Sequence, residues 1–404
     1  MTKPRIFINM HYMELGGAER ALLGLLNAID TSKVDVDLFL NQHVGGFMRL
    51  IPDKINLLPE RRGYNAIERP MKQIFKEGQF GVLLGRLIAR HRFANYHKSL
   101  VDKEKWFDSS QFSYVASAVS PFLPSLKRLG EYDLAISFLQ PHHIVLNKVK
   151  AKRKIAWIHT DYSTIHVNTE LELPVWSGFD HVISISPSCT NSFLQKFPSL
   201  ADRIIEMENI LSPDFVRQQA ELMDVTDSME PDTVNLLSVG RYTNAKNYDN
   251  VPDIARRIIG MGHENLKWYI IGFGDDEAKI RRKISEEGME DHVILLGKKD
   301  NPYPYIKACD IYVQPSRYEG KSMTVREAQV LCKPIVITDY PTARSQVQDG
   351  VDGVIVPMDN EGCARGISQV INNLDLRNGL SAYLSSHDYG NESEVEKLYA
   401  LAGL

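Results

Sequence analysis

Short apolar runs rich in β-branched residues alternate along the chain with segments of helical periodicity. This alternation is typical of βαβ units and predicts parallel sheets covered by helices. The predicted strands are Arg5–Met10, Val34–Leu40, Leu134–Phe138, Lys154–His159, His181–Ser184, Asn235–Val239, Trp268–Ile271, Val293–Leu296, Ile311–Gln314, Ile335–Thr338 and Gly353–Val356. The predicted helices include Glu19–Ala28, Pro187–Lys196, Val251–Gly260, Glu277–Glu287 and Thr324–Leu331.

The strands fall into two series separated by Ser212–Asp232, a polar stretch with two prolines that we interpret as a connection between domains. The sequence therefore predicts an α/β protein with two Rossmann-like, doubly wound parallel-sheet domains, over 1–211 and 212–385. A helical pattern within 386–404 predicts a closing helix. Ligands of such sheets bind beyond the carboxyl ends of the strands, so we expect the two domains to face each other across a cleft.

Composition supports a globular chain and excludes several classes of protein. Of 404 residues, 43% are hydrophobic and 24% are charged, and the net charge of −4 argues against a nucleic-acid binder. The four cysteines lack zinc-site spacing, which favours reduced thiols. The first residues do not have the pattern of a signal peptide, and no apolar run is long enough to span a membrane. We expect a cytoplasmic protein whose membrane contact, if any, is peripheral.

The segment Arg61–Lys98 differs from the rest of the chain in charge. It carries a net charge of +7, which leaves −11 for the remaining residues. Its helical pattern places one set of apolar side chains on one face, with basic side chains along the edge: Phe80, Leu83, Leu84, Leu87, Ile88 and Ala94, edged by Arg86, Arg90 and His97. One interpretation is a helix that binds an anionic membrane surface, and the alternative is a helix that packs on the core with a solvated basic side.

Two carboxylates flank a predicted helix start just after the strand Ile311–Gln314. Glu319 lies in the loop, and Glu327 follows eight residues later in the helix that begins near Ser322 or Thr324. The start of a helix offers unpaired backbone N–H groups and a positive dipole end to an anion such as a diphosphate. The alternative is that both glutamates are ordinary solvated side chains at a helix start.

Cations follow the strand Asn235–Val239 in the same way. Gly240 permits a tight turn, and Arg241 and Lys246 could both reach a phosphate. Gly272 and Gly274 form a further glycine turn, at the end of the strand Trp268–Ile271. Each signal is weak alone, since an arginine after a strand is often structural.

The first half offers two weaker candidates. Gly16 and Gly17 open the first helix in the manner of a phosphate-facing or sugar-facing turn, and His159 lies at a strand end. A glycine pair is often only a turn, and a single histidine is often structural. The dinucleotide-binding spacing G-x-G-x-x-G is absent here, which argues against an oxidoreductase.

Taken together, these motifs resemble the GT-B-fold retaining glycosyltransferases of family 4, most closely over 235–358. The resemblance rests on elements in the family's order: Gly16-Gly17-Ala18-Glu19-Arg20, His159, Gly240-Arg241 with Lys246-Asn247, Gly272-Phe273-Gly274, Glu319 with Glu327, Lys333-Pro334-Ile335-Val336, Asp349-Gly350 and Gly353 to Pro357. It implies that the C-terminal domain holds a nucleotide-sugar, with a UDP-sugar expected, and that the N-terminal domain holds the acceptor.

The resemblance also implies roles for single residues. Arg241 and Lys246 resemble the family's pyrophosphate clamp, and Glu327 resembles the carboxylate that binds the ribose hydroxyls. Glu319 and His159 resemble the residues that contact the donor sugar. The remaining expected substrate contacts are Gly17 near the phosphates with Gly16 beside it, Asn301 in the nucleobase loop, and the backbone at Ser322, Met323 and Thr324. The sequence Lys321-Ser322-Met323 departs from the family's usual pattern, so we expect a sugar pocket of different shape.

The expected activity is therefore sugar transfer with retention to a glycan or lipid-linked acceptor, as in bacterial surface polysaccharide synthesis. Asp35-Val36-Asp37 has the letters of a metal-binding motif, but it lies within a predicted strand, and we expect neither a metal nor another cofactor. Two alternatives remain. One is a nucleotide-sugar epimerase of the same shape, and the other is a non-catalytic nucleotide-sugar-binding protein.

Overall fold

The computed structural model describes residues 3–14, 16–99, 107–163, 165–225, 228–230 and 232–404. The chain forms two compact units. The first comprises Met1–Ile210 with Glu392–Leu404, and the second comprises Leu211–Asn391.

The first unit is built on a parallel sheet. Its strands are β1 (Arg5–Met10), β2 (Asp35–Leu40), β3 (Asn56–Leu57), β4 (Phe107–Asp108), β5 (Glu131–Ser137), β6 (Lys150–Ile158), β7 (Ile165–His166), β8 (His181–Ser184) and β9 (Ile204–Glu206). Seven of them form one sheet in the order β3-β2-β1-β5-β6-β8-β9, and β4 pairs separately with β7. The strand order reverses direction between β1 and β5, which is where parallel sheets commonly bind ligands.

Helices cover this sheet. They are α1 (Gly17–Ala28), α2 (Met71–Lys76), α3 (Phe80–Ser99), α4 (Ser110–Val119), α5 (His143–Lys148), α6 (Thr169–Trp176) and α7 (Pro187–Lys196). The apolar face that the sequence predicts on α3 is not the face that is buried. Val82, Gly85 and Ala89 are buried, whereas Phe80 and Leu84 are exposed.

The second unit contains a six-stranded parallel sheet. Its strands are β10 (Val234–Val239), β11 (Leu266–Ile271), β12 (Val293–Gly297), β13 (Ile311–Gln314), β14 (Ile335–Thr338) and β15 (Val354–Val356). Their order is β12-β11-β10-β13-β14-β15. The helices are α8 (Pro213–Ala220), α9 (Val251–Gly260), α10 (Glu277–Glu286), α11 (Tyr303–Ala308), α12 (Met323–Val330), α13 (Asn360–Asn372) and α14 (Leu374–Ser385). Two parallel α/β units confirm the predicted fold class.

The stretch 212–232 is not merely a connection, because it contains α8. Val216 and Ala220 of this helix are fully or almost fully buried in the core of the second unit. Prolines commonly occupy the first turn of a helix, and Pro213 does so here. The last helix, α15 (Val395–Ala402), belongs to the first unit, where the hydroxyl of Tyr399 accepts a hydrogen bond from the backbone N–H of Asp30 at 2.7 Å.

Within the described residues, no helix combines the length and the apolar character needed to cross a bilayer. The four cysteines are free thiols, and Cys189, Cys309 and Cys363 are buried.

Candidate functional site

The loops that follow β10 and β13 lie side by side in the second unit and join two predicted site residues. Adjacent parallel strands end at the same edge of a sheet, and here Lys246 Nζ lies 2.6 Å from Glu319 Oε1. The backbone N–H of Arg317 donates to the carbonyl of Ala245 at 2.8 Å, and its guanidinium donates to the carbonyl of Asn244 at 2.7 Å. The two loops therefore hold each other in place.

Two hydroxyl groups hold Glu319 in place, one at its carboxylate and one at its backbone carbonyl. Ser316 Oγ donates to Glu319 Oε1 at 2.6 Å, and Thr342 Oγ1 donates to the Glu319 carbonyl at 2.8 Å. The residue is 9% exposed. A nearly buried carboxylate that is paired with a lysine and a hydroxyl is stable in this environment and well positioned to accept hydrogen bonds.

Gly240 borders the lysine of this pair, and Arg241 follows it in the loop. The Arg241 side chain is exposed. A β-carbon on Gly240 would lie 2.8 Å from the hydroxyl of Tyr248 and 3.1 Å from Cε of Lys246, so glycine is needed for the lysine to pass this close to the backbone. The structure thus gathers Gly240, Lys246 and Glu319 in one place.

Gly272 and Gly274 allow the loop after β11 to pack on the loop after β10. A β-carbon on Gly272 would lie 1.9 Å from the carbonyl oxygen of Gly240, and one on Gly274 would lie 2.5 Å from that of Tyr242. This close backbone approach accounts for both glycines, and contact of either with a ligand stays a prediction.

At the start of α12, the backbone N–H of Ser322 is paired within the chain, whereas we expected an unpaired amide there. The N–H of Ser322 donates to Gln346 Oε1 at 3.0 Å, and Gln346 Nε2 donates to the Ser322 carbonyl at 2.5 Å. The hydroxyls of Ser322 and Thr324 lie 3.0 Å apart, and the side chain of Met323 is partly buried. The amide of Ser322 is therefore not an unpaired donor, which corrects the expectation at this residue.

Glu327 and Asn301 lie deeper in the second unit. Glu327 is fully buried and accepts a hydrogen bond from the hydroxyl of Tyr303 at 3.0 Å. Asn301 donates to the carbonyl of Gln219 at 2.7 Å and accepts from the N–H of Tyr303 at 3.1 Å. Asn301 thus links α8 to the start of α11, and Tyr303 links this loop to Glu327.

In the first unit, His159 lines a cavity of about 290 Å³ at the carboxyl ends of β1, β5 and β6. The ring of His159 stacks on Trp157 with 6.0 Å between centroids. Neither ring nitrogen of His159 nor Nε1 of Trp157 makes a hydrogen bond of ordinary geometry. Burial lowers the pKa of His159 to about 3, so the ring is neutral near pH 7. A cavity with aromatic walls and unpartnered polar atoms can bind a neutral polar ligand.

The same cavity contains a histidine–carboxylate pair that the sequence analysis missed. His11 Nδ1 contacts Glu68 Oε1, and both side chains line the cavity. His11 directly follows β1, so its position at a strand end could have revealed it. Glu68 comes from a distant loop, and its sequence carries no such signal.

Gly16 and Gly17 begin α1 beside this cavity. The carboxylate of Glu19, which lines the cavity, lies where a side chain on Gly16 would be, because a β-carbon there would be 2.2 Å from Glu19 Oε2. Gly17 is exposed, and no atom lies within 4 Å of the position of its missing β-carbon.

The sequence of the second unit is similar to that of known glycosyltransferases. Residues 227–386 match the family described as glycosyl transferases group 1. The amylovoran biosynthesis glycosyltransferase AmsD of Erwinia amylovora is 27% identical over 164 residues, which cover 40% of this chain and 46% of AmsD. An N-acetylgalactosaminyltransferase of Campylobacter jejuni that acts on a diphospho-undecaprenol-linked sugar is 31% identical over 35% of this chain and 38% of its own length. These matches thus span less than half of each relative.

Solved structures extend the likeness to the whole fold. Anabaena HepE in complex with UDP and glucose has a TM-score of 0.68 at 14% identity, covering 99% of this chain and all of HepE. Staphylococcus aureus TarM, in a complex with UDP, has a TM-score of 0.67 at 13% identity, covering 99% of this chain and all of TarM. The predicted GT-B fold is thereby confirmed.

Proposed function

We propose that this chain is a glycosyl transferase of group 1 that transfers a sugar from a UDP-sugar to a hydroxyl of a glycan or lipid-linked acceptor. The match of residues 227–386 to that family supports the proposal. The transfer retains the anomeric configuration, requires no metal ion or other cofactor, and serves the synthesis of a bacterial surface polysaccharide. Support comes from the relatives, which include enzymes of amylovoran and lipopolysaccharide core biosynthesis, and from the UDP complexes of HepE and TarM.

The observation that carries this proposal is the 2.6 Å ion pair between Lys246 and Glu319. Arg241 follows Gly240 in the same loop as Lys246, and its side chain is exposed. When a sugar leaves a nucleoside diphosphate, negative charge builds on the departing phosphate. Fixed cations stabilise this charge most effectively because they need no reorganisation in the transition state. In the proposal, Arg241 and Lys246 bind the diphosphate, and Glu319 orients Lys246 and accepts hydrogen bonds from sugar hydroxyls.

The proposed reaction is a front-face displacement. The acceptor oxygen forms a bond to the anomeric carbon while the bond from that carbon to the diphosphate oxygen breaks, and the electron pair leaves with UDP. The departing phosphate oxygen takes the acceptor proton. No protein base is therefore required on the opposite face of the sugar, and neutral His159 contributes only hydrogen bonding to the donor sugar.

Single substitutions test the assigned roles. We expect Lys246→Ala and Arg241→Ala each to raise the barrier by about 2–4 kcal/mol, as the loss of an oxyanion donor does. Glu319→Gln and Glu327→Ala should also lower turnover of the best UDP-sugar found in a thermal-shift screen. Arg282→Ala, on the exposed surface of α10, is the matched control. Wild-type turnover in the Lys246, Arg241 and Glu327 variants together would refute the site.

Product analysis separates the proposal from its alternatives. A transferase releases UDP and glycosylates an acceptor, and the anomeric signal of the product reports retention. Conversion of the UDP-sugar without an acceptor would identify an epimerase instead, and UDP binding without any turnover would identify a binding protein. Full activity in excess chelator is expected, and loss of activity that added Mg²⁺ or Mn²⁺ restores would contradict metal independence.

The proposed acceptor also sets the place of action. A lipid-linked glycan is presented at the cytoplasmic face of the membrane, so we place the protein in the cytoplasm with peripheral contact to that surface. The basic segment Arg61–Lys98 is the part of the chain proposed to make this contact.

A further inference from the structure

Helix α3 has apolar residues on two opposite sides, and within the described part of the chain only one of these sides is buried. Val82, Gly85 and Ala89 form the buried side, where Gly85 packs closely on α4. On the other side, Phe80, Leu84 and Leu87 are 62%, 50% and 48% exposed. Their spacing of four and three residues places them on one stripe of the helix. His91, Ala94 and Lys98 continue this stripe, and all three are exposed.

Helix α2, which precedes α3, adds a second aromatic ring beside this stripe. Phe75, the fifth residue of α2, is 61% exposed, and its ring centroid lies 5.8 Å from that of Phe80. Arg62 donates to the carbonyls of Glu77 and Gly78 at 2.8 and 3.2 Å. The two rings therefore flank a turn whose backbone is fixed by hydrogen bonds from Arg62.

The charges around the stripe are almost all positive. Residues 71–98 contain six Lys or Arg and one acidic residue, Glu77, which is itself paired with Arg69 at 3.0 Å. Five of the six basic side chains are exposed: Lys72, Lys76, Arg90, Arg92 and Lys98. An apolar stripe with a basic surround is the pattern of helices that lie in the interface of an anionic bilayer.

We propose that the α2–α3 surface, formed by Phe75, Phe80, Leu84 and Leu87 with the five exposed basic residues, docks on an anionic lipid bilayer. The apolar side chains enter the interface, and the basic side chains bind lipid phosphates. This inference rests on the proposed function in one respect: the proposed function supplies the role of the docking, which is access to a lipid-linked acceptor.

Charge complementarity favours the bilayer over other occupants. A second copy of the same surface would bring two sets of cations together, and like charges across an interface oppose association. A bilayer that contains anionic lipid supplies many phosphates and apolar chains at once. Attraction of this kind weakens with added salt, whereas the apolar contribution does not.

The first test measures flotation of the full chain with vesicles of phosphatidylcholine containing 0% or 30% phosphatidylglycerol. We expect binding to the anionic vesicles only. Phe80→Ser/Leu84→Ser/Leu87→Ser should weaken it more than about tenfold because three apolar side chains no longer enter the interface. Removing a single charge, as in Arg90→Gln or Lys76→Gln, should weaken it about fivefold. The matched controls are Leu222→Ser/Leu374→Ser, which alter equally exposed side chains in the second unit, and Arg282→Gln.

A second measurement does not depend on loss of binding. Leu84→Trp should show a blue-shifted emission with anionic vesicles and quenching by brominated lipid, whereas Leu374→Trp should not. Circular dichroism and activity on a water-soluble acceptor should be unchanged in the triple serine variant.

If no variant transfers sugar but the vesicle results hold, the proposed function is refuted and the docking proposal stands. Three results would overturn the docking proposal. The wild-type protein does not bind anionic vesicles, or the triple variant binds them as tightly as the wild type does. The third is that sedimentation equilibrium shows a wild-type dimer and a monomeric triple variant.

Discussion

At the scale of the residue, Gln346 is the side chain that sets the backbone at the start of α12. Its amide pairs with both the N–H and the carbonyl of Ser322, as a neighbouring strand would. The Gln346 carbonyl also accepts from Gln329 at 3.3 Å. A glutamine after a strand carries no motif, so the sequence could not reveal this role, whereas the ionic partners Lys246 and Glu319 were evident from their positions after strands.

Substitutions of Gln346 should separate folding from donor binding. Gln346→Leu leaves both Ser322 groups unpaired and should lower the free energy of unfolding by about 1–3 kcal/mol. Gln346→Glu keeps the acceptor for the N–H but puts a negative charge beside the proposed diphosphate site. We therefore expect it to weaken UDP binding more than Gln346→Leu does, as measured by calorimetry alongside urea unfolding.

The exposed Gln369→Leu on α13 serves as the control and should change neither quantity. Equal UDP affinity in Gln346→Glu and wild type would show that this part of α12 lies away from the bound diphosphate.

The buried histidines of the first unit predict that the free energy of unfolding falls in acid. Burial lowers the pKa of His142 to about 3, with smaller contributions from His143, His11 and His159, against an ordinary value of 6.5. Below pH 6.5 the unfolded chain binds a proton that the folded chain does not, so stability is present above that pH and is lost as the pH falls toward 3. At pH 5 the loss from His142 is about 2 kcal/mol.

Urea unfolding at pH 7.5 and pH 5 checks this. His142→Asn keeps an acceptor near Ser137, whose hydroxyl lies 2.8 Å from Nδ1 of His142, and removes the titrating ring. The difference in unfolding free energy between the two pH values should shrink by about 2 kcal/mol in this variant. It should not shrink in the exposed control His387→Asn. If the difference in unfolding free energy between the two pH values is the same in His142→Asn as in wild type, the folded protein already protonates His142 at pH 5.

At the scale of the element, periodicity predicted the central strands well. The bounds of β1, β8, β13 and β14 are those read from the sequence, because each is a short run centred on apolar or β-branched residues. The edge strand β3 was missed, since two residues are too few to show any period. The apolar positions of α3 were found, but not which of its sides is buried. That choice depends on Gly85, whose missing side chain lets α4 approach.

Close helix packing on a glycine also makes a sharp prediction for α1. A β-carbon on Gly24 would lie 1.9 Å from the backbone carbonyl oxygen of Ile210, which cannot yield as a side chain does. Gly24→Ala should therefore lower the free energy of unfolding by about 1–3 kcal/mol. Gly379→Ala, in the middle of α14, meets no atom within 4 Å and should instead raise it by about 0.5–1 kcal/mol. Denaturant melts of both variants test the contrast, and two shifts of the same sign would contradict it.

At the scale of the whole molecule, each of the two units has its own large parallel sheet and its own core, and the proposed chemistry divides between the units. The second unit contributes the cations Arg241 and Lys246, which suit a diphosphate. The described lining of the cavity in the first unit contains no lysine or arginine. It is aromatic, with carboxylates and with His142 and His159, whose pKa values burial lowers to about 3, and this suits a sugar ring better than a phosphate. A nucleotide without its sugar should therefore stabilise one unit and not the other.

Hydrogen exchange with and without UDP resolves the two units. A ligand at 100 times its dissociation constant stabilises the unit that binds it by about 2.7 kcal/mol. Core amides exchange only when their own unit opens. We therefore expect UDP to slow exchange by the corresponding factor in the core amides of β10 and β13, and to leave exchange in β1 and β5 unchanged. Lys246→Ala should abolish the effect, whereas Arg282→Ala should preserve it. Equal protection of β1 that persists in Lys246→Ala would show that UDP also binds the first unit, and would contradict the division of chemistry argued from the charges.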